Sequence, residues 1–187
     1  MNIILFGPPG AGKGTQAKYL VKRLNGFQIS TGDMLRDEIK KNSQIGKTII
    51  QDMDDGKFVS DEIVNKLIKD IVFDPQKKNR LIFDGYPRSL SQAKNLDLVL
   101  KNSSQVIDFI FFLNVNKDTI ISRIEKRKIT EKRTDDKFDI ILKRYDTYME
   151  TTKPVLDYYS KNSNFKQIDG ALKIDEITAK IEAFLNV

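Results

Sequence analysis

The sequence predicts an α/β fold: one five-stranded parallel sheet with helices on both faces. Three observations predict it. Short apolar runs without polar alternation recur along the chain, which suits strands buried on both sides. Longer segments with helical apolar spacing separate them. The first apolar run, Ile3-Ile4-Leu5-Phe6, leads straight into the glycine-rich turn Gly7-Pro8-Pro9-Gly10-Ala11-Gly12-Lys13-Gly14-Thr15, and a helix-forming segment follows.

In chain order, strands are expected at Asn2–Phe6, Phe27–Ile29, Arg80–Asp84, Val106–Leu113 and Phe165–Ile168. Helices are expected at Lys13–Leu24, Gly32–Lys41, Ile45–Asp55, Asp61–Phe73, Ser89–Leu100, Lys117–Arg127, Asp136–Ser160 and Ile174–Leu185. Two stretches interrupt a simple alternation. Residues 30–59 hold two short helices where one crossover suffices, so they read as a helical insert. Residues 126–136 are a charged connection between helices, either a short lid or a solvated loop. The remaining segments (1–29, 60–125 and 137–187) form the core of a single domain. Ligands on such a sheet bind at the carboxyl ends of the strands, so the loops after Phe6, Ile29, Asp84 and Leu113 matter most.

Composition narrows the chemistry. The 187 residues contain no cysteine and no histidine. Disulfides, thiolate nucleophiles, histidine bases and Cys/His zinc sites are thereby excluded. No apolar run reaches the length of a membrane span and no basic leader precedes one, so a cytoplasmic protein without a membrane partner is expected. The net charge of +6 raises the question of nucleic acid. Only eight of the 32 basic residues are arginine, and the lysines are scattered along polar faces. That is a solvated surface, and no nucleic-acid partner is expected. A chain so rich in lysine should use arginine where its fork matters, as on phosphate oxygens.

The turn at 7–15 has the form of a phosphate-binding loop. Its glycines let successive N–H groups converge on an anion, and the following helix adds its positive end. Lys13 can reach terminal phosphates. The general pattern wants Ser or Thr directly after the lysine; here Gly14 intervenes and the hydroxyl arrives at Thr15. Four further stretches stand out. Ser30-Thr31-Gly32-Asp33-Met34-Leu35-Arg36 is a helix start, with Thr31 near the cap. Asp55-Gly56-Lys57-Phe58-Val59-Ser60-Asp61-Glu62 reads as a helix end followed by an acidic helix start. Phe83-Asp84-Gly85-Tyr86-Pro87-Arg88, running on to Gln92, puts a carboxylate at the ligand edge, where it can hold a metal-bound water or simply cap a turn. Arg123, Arg127, Arg133 and Arg144 form a set; ion pairing with Glu125, Glu131 or Asp135 is the plain alternative for any one of them.

Together these stretches resemble the adenylate kinases of the short-lid type, within the nucleoside monophosphate kinases. The family's Gly-x-Pro-Gly-Ala-Gly-Lys-Gly-Thr, Ser-Thr-Gly-Asp-Met-Leu-Arg, Asp-Gly-Tyr/Phe-Pro-Arg with a following Gln, Arg-x-Asp-Asp and Lys-Arg-x-x-x-Tyr patterns match in order, ending at Ile168-Asp169-Gly170. The resemblance covers essentially the whole chain. It implies a P-loop NTPase-like three-layer fold and reversible phosphoryl transfer from MgATP to AMP, giving two ADP. By the same resemblance, Gly10, Ala11, Gly12, Lys13, Gly14 and Thr15 cradle ATP phosphates, Arg123 and Arg127 clamp the ATP side, and Leu172 meets the adenine. Thr31, Arg36, Lys57, Phe58, Val59, Gly85, Tyr86, Pro87, Arg88 and Gln92 hold AMP. Arg133 and Arg144 reach the phosphates between the nucleotides. Lys13, Arg88, Arg123, Arg133 and Arg144 carry the catalysis, and Asp84 orients Mg²⁺ through water. No zinc is expected, and a monomer is. Phe58 and Ser60 depart from the usual Leu and Pro, so the rim of the base pocket differs.

The attacking AMP phosphate oxygen is already ionised, so no histidine is required. Three other readings are open, one of them a non-catalytic ATP-binding or RNA-binding protein, against which Lys13, Asp84 and the arginine set argue. A UMP or CMP kinase shares the fold, although Thr31 and Gln92 favour AMP. A GTP-binding switch would carry Asp-x-x-Gly, which is absent, and Asn-Lys-x-Asp, of which Asn116-Lys117-Asp118 is only a near miss.

Overall fold

The computed structural model of the chain describes residues 1–55, 57–131 and 138–185, the side chains of 126–131 and 138 excepted. The elements are β1 (Ile3–Phe6), α1 (Lys13–Leu24), β2 (Phe27–Ser30), α2 (Thr31–Lys40), α3 (Gln44–Asp54), α4 (Asp61–Val72), a 3-10 turn (Pro75–Lys77), β3 (Leu81–Asp84), α5 (Leu90–Asn102), β4 (Phe109–Asn114), α6 (Lys117–Glu131), α7 (Phe138–Thr151), α8 (Lys153–Tyr159), β5 (Phe165–Asp169) and α9 (Ile174–Leu185).

The five strands pair in the order β2-β3-β1-β4-β5. Every pairing is parallel: β1 lies against β3 with Ile3 opposite Ile82, and against β4 with Ile3 opposite Phe109. The pleat sends alternate side chains to opposite faces. Ile4 and Phe6 join Phe83 and Ile110 in one apolar cluster, covered by α4, α5 and α8 through Ile68, Leu96 and Val155. Ile3 and Leu5 join Ile82 and Phe111 in the other, covered by α1, α6 and α9 through Leu20, Ile120 and Ile181. Ile3, Ile4 and Leu5 are fully buried, and each such side chain contributes about 1.5–3 kcal/mol through burial. Two cores sharing one sheet are the reason the strands read as unbroken apolar runs.

Three expectations need correction. The long helix over Asp136–Ser160 is two helices, with Thr152 between them. Pro154 sits in the first turn of α8, where its missing N–H is harmless; inside a continuous helix it would remove a bond to Glu150. The break also lets the chain change faces, since Ile141 packs in one core and Val155 in the other. The fourth strand begins at Phe109 rather than Val106, whose side chain is exposed. The sixth helix continues through Glu131 instead of ending at Arg127, so helix fills the first half of the expected lid, and 132–136 lie outside the described residues. At the start of α2 the cap is Ser30, whose Oγ accepts from the Asp33 N–H at 3.3 Å, and Thr31 is the first helical residue.

Candidate active site

The carboxyl ends of β1 and β3 open onto a cleft of about 650 Å³, lined by the 9–16 loop and by Arg36, Asp84, Arg88, Arg123 and Arg144. A smaller cavity of about 60 Å³ adjoins it and shares Lys13, Gly85, Arg88 and Arg144. The cationic side chains come from α1, α2, the β3–α5 loop, α6 and α7, so only the assembled fold collects them.

The loop after β1 is shaped by local chemistry. Gly10 takes φ +82°, and a Cβ there would stand 2.8 Å from Ile124 Cγ1. The loop therefore lies flush on α6, which no larger residue permits. Gly12 starts α1 in a left-handed conformation and no side chain caps that helix, leaving its positive end to the cleft. Lys13 Nζ donates to the carbonyls of Gly7 at 2.7 Å and Pro8 at 3.0 Å, bracing the loop. Gly14 faces Asp84, with Oδ2 3.4 Å from where a Cβ would be. Asp84 thus closes on α1 where the general pattern puts a hydroxyl side chain, and Gln28 Nε2 holds the same oxygen at 3.0 Å. Ala11 is buried and Thr15 exposed.

On the opposite side, Thr31 is buried and its hydroxyl donates to the Gly85 carbonyl at 2.8 Å. Arg36 lies back over Gly32 and pairs with Asp33 at 2.6 Å. Lys57 is exposed and pairs with Asp55 at 3.0 Å, which raises the lysine and lowers the aspartate from their ordinary pKa values. Val59 is buried, and the Phe58 ring stacks 4.9 Å from the Arg88 guanidinium. Arg88 Nε donates to Gly85 O at 2.6 Å. Pro87 follows a cis peptide and lines the small cavity. Tyr86 points the other way: it is 1% exposed and its hydroxyl donates to Asn65 Oδ1 at 2.8 Å, so only its backbone is at the site. Gln92 is buried with both ends of its amide engaged. Its Oε1 accepts from the Arg88 N–H and its Nε2 donates to Asp61 Oδ1, each at 2.7 Å. In this arrangement Gln92 pins the Arg88 backbone.

Arg123 spans two loops of the cleft. Its guanidinium donates to Ala11 O, Ala171 O and Leu172 O, all at 3.4 Å, tying the glycine loop to the loop after β5. Leu172 and Arg144 line the cleft. The Arg127 side chain and Arg133 lie outside the described residues.

The family model for adenylate kinase matches residues 5–164. The adenylate kinase of Pelagibacter ubique (strain HTCC1062) is 48% identical, with both chains covered completely. The chain belongs to the adenylate kinase family. The adenylate kinase of Caulobacter sp. (strain K31) is 41% identical over 187 residues, covering all of this chain and 99% of its own, and that of Maricaulis maris (strain MCS10) is 40% identical over 99% of this chain. The alignment with the Pelagibacter adenylate kinase runs to 213 positions, so it includes segments that this shorter member of the family lacks.

Sequence reasoning missed several residues around this adenylate kinase cleft. Asp61 reads as an ordinary acidic helix start, yet it accepts from Ser89 Oγ and Gln92 Nε2, both at 2.7 Å, joining α4 to α5 beneath Arg88. Gln28 has no signal beyond being a polar residue in a short strand. Thr152 is 2% exposed, and its hydroxyl donates to the Arg88 carbonyl at 3.0 Å. None of these contacts has a fixed sequence spacing by which it could be found.

Proposed function

We propose that the chain catalyses reversible transfer of the terminal phosphoryl group of MgATP to AMP, giving two ADP. The observation that carries this reading is one cleft at the strand ends whose wall collects the glycine loop with Lys13, Arg36, Arg88, Arg123 and Arg144. Such a cleft suits two polyanions brought face to face. An AMP phosphate oxygen forms the new bond to the transferring phosphorus as the bond to the ADP leaving oxygen breaks. The nucleophile is already ionised, so no base is needed, consistent with a chain that has no histidine. Catalysis is then positioning and charge neutralisation.

Residues 10–15, Arg123, Arg127 and Leu172 take ATP. Thr31, Arg36, residues 57–59, Gly85, Arg88 and Gln92 take AMP, and Arg133 and Arg144 act between them. Gln92 reaches a base only by exchanging its present partners, which the closure of residues 30–59 over AMP would drive. Residues 126–136 serve as the lid on the ATP side, and the two movements exclude water that would otherwise hydrolyse ATP. No group of three acidic side chains able to hold a metal occurs among the described residues. The single carboxylate of Asp84, steadied by Gln28, fits a magnesium ion held mainly by nucleotide phosphates and water. Magnesium supplies neutralisation of phosphate charge. The protein works as a cytoplasmic monomer on free nucleotides; among its described residues no helix is long and apolar enough to cross a membrane.

A coupled assay of ADP formation from MgATP, with AMP, GMP, CMP or UMP as acceptor, tests the reading. Two ADP per ATP with AMP alone is the expected result. Preference for UMP or CMP would overturn the base pocket while keeping the fold. No turnover with any acceptor would overturn the reaction.

A further inference from the structure

Arg144, Tyr148 and Thr152 follow one another at intervals of four, so they share one face of α7 and its junction with α8. All three line the small cavity, together with Gly7, Lys13 and Arg88. Tyr148 is only 7% exposed, and its hydroxyl is a buried polar atom with no hydrogen-bond partner among the described residues. Burying a hydroxyl without a partner is unfavourable, and native proteins rarely keep one without a use for it.

The surroundings say what would pair with it. Lys13, Arg88 and Arg144 bring three cationic side chains to the cavity wall. Such a cavity selects an anion rich in acceptor oxygens, and a phenolic O–H is a further donor to the same group. Burial pushes the Tyr148 pKa well above its ordinary value, so the hydroxyl keeps its proton and can donate. Its placement is fixed from below: Thr152, one turn on, is bonded to the Arg88 carbonyl.

We propose that the Tyr148 hydroxyl is a phosphate-binding group of this enzyme, donating a hydrogen bond to a phosphoryl oxygen of the bound nucleotides beside Lys13, Arg88 and Arg144. The inference rests on the nucleotide-kinase reading of the cleft. It adds a neutral donor to a site otherwise described by its cations, and it explains why a tyrosine rather than a phenylalanine fills this buried position.

The test is full-length Tyr148→Phe, with Tyr145→Phe on the same helix as control. Tyr145 packs against the core that holds Ile3 and Leu5, with its ring 5.3 Å from Lys117 Nζ. Three quantities are read: the thermal midpoint without nucleotide, the shift in that midpoint caused by MgADP, and kcat/KM for ADP formation. Tyr148→Phe should melt at or above the wild-type midpoint, because an unpaired hydroxyl is gone. Its MgADP-induced shift should shrink, and its kcat/KM should fall about tenfold, as for one lost hydrogen bond to a charged group. Tyr145→Phe should keep wild-type values. Wild-type turnover and shift in Tyr148→Phe would overturn the proposal. So would a midpoint below wild type, or an equal loss in Tyr145→Phe, either of which would make the tyrosine a packing residue. If wild-type protein makes no ADP from AMP yet is stabilised by MgADP, the acceptor assignment fails separately, and the shift alone judges the hydroxyl.

Discussion

Lys13 shows how much of this site is decided by single residues. Its ammonium is held by two carbonyls of its own loop, so the charge is aimed before any nucleotide arrives. Replacing it by Met removes that charge and both of its bonds to the loop while keeping a side chain of similar length. Lys13→Met and Arg88→Ala should each lower turnover by at least about a hundredfold, the scale of one lost transition-state donor. Both should retain a cooperative melt, and steady-state kinetics alongside a thermal scan would check it. Arg36 should behave differently. It sits on α2, away from the glycine loop, paired with Asp33. Arg36→Ala is expected to weaken AMP binding more than ATP binding in calorimetric titration.

At the scale of elements, the informative feature is the junction between α7 and α8. Thr152 stands between the two helices, and Val155 and Tyr159 beyond it are buried in one core. Pro154 ends α7, and Thr152 uses the break to reach the Arg88 carbonyl. The Arg88 backbone is thereby held twice, by Thr152 at its C=O and by Gln92 at its N–H, and Asp61 holds Gln92 in turn. Thr152→Val keeps the shape and loses the hydroxyl. It should destabilise the fold by about 1–2 kcal/mol, the cost of one buried hydrogen bond with its acceptor left unpaired. It should also raise the KM for AMP more than the KM for ATP. Urea unfolding and initial-rate kinetics would measure the two effects.

The whole molecule is a sheet between two cores, and its buried tyrosines link those cores to pH. Burial pushes Tyr86 up to about 12 and drives Tyr148 and Tyr159 up as well, the last helped by the negative charge of Asp97. The unfolded chain releases these protons near pH 10, before the folded protein does. Folding stability is therefore fully present below pH ~10 and lost as pH rises through the folded values. Urea midpoints should be flat to about pH 9 and fall between about pH 10 and 12, with Tyr86→Phe flattening part of that fall.

Most of the architecture was legible in the chain itself. Continuous apolar strands between helical segments require a covered parallel sheet, and Gly7 to Thr15 has few uses other than phosphate binding. The arginines, too, stood out against a lysine-rich background. These signals are local: they depend on backbone freedom, side-chain period and residue type within a few positions. Only the tertiary structure decided which side chains meet. It turned Tyr86 into the core, engaged Gln92 with Asp61 and Arg88, and seated Tyr148 on the wall of a cavity shared with Lys13, Arg88 and Arg144. Most of these contacts join residues far apart in sequence. Their geometry depends on how helices from distant parts of the chain seat on a common sheet, and no pattern along the chain encodes that.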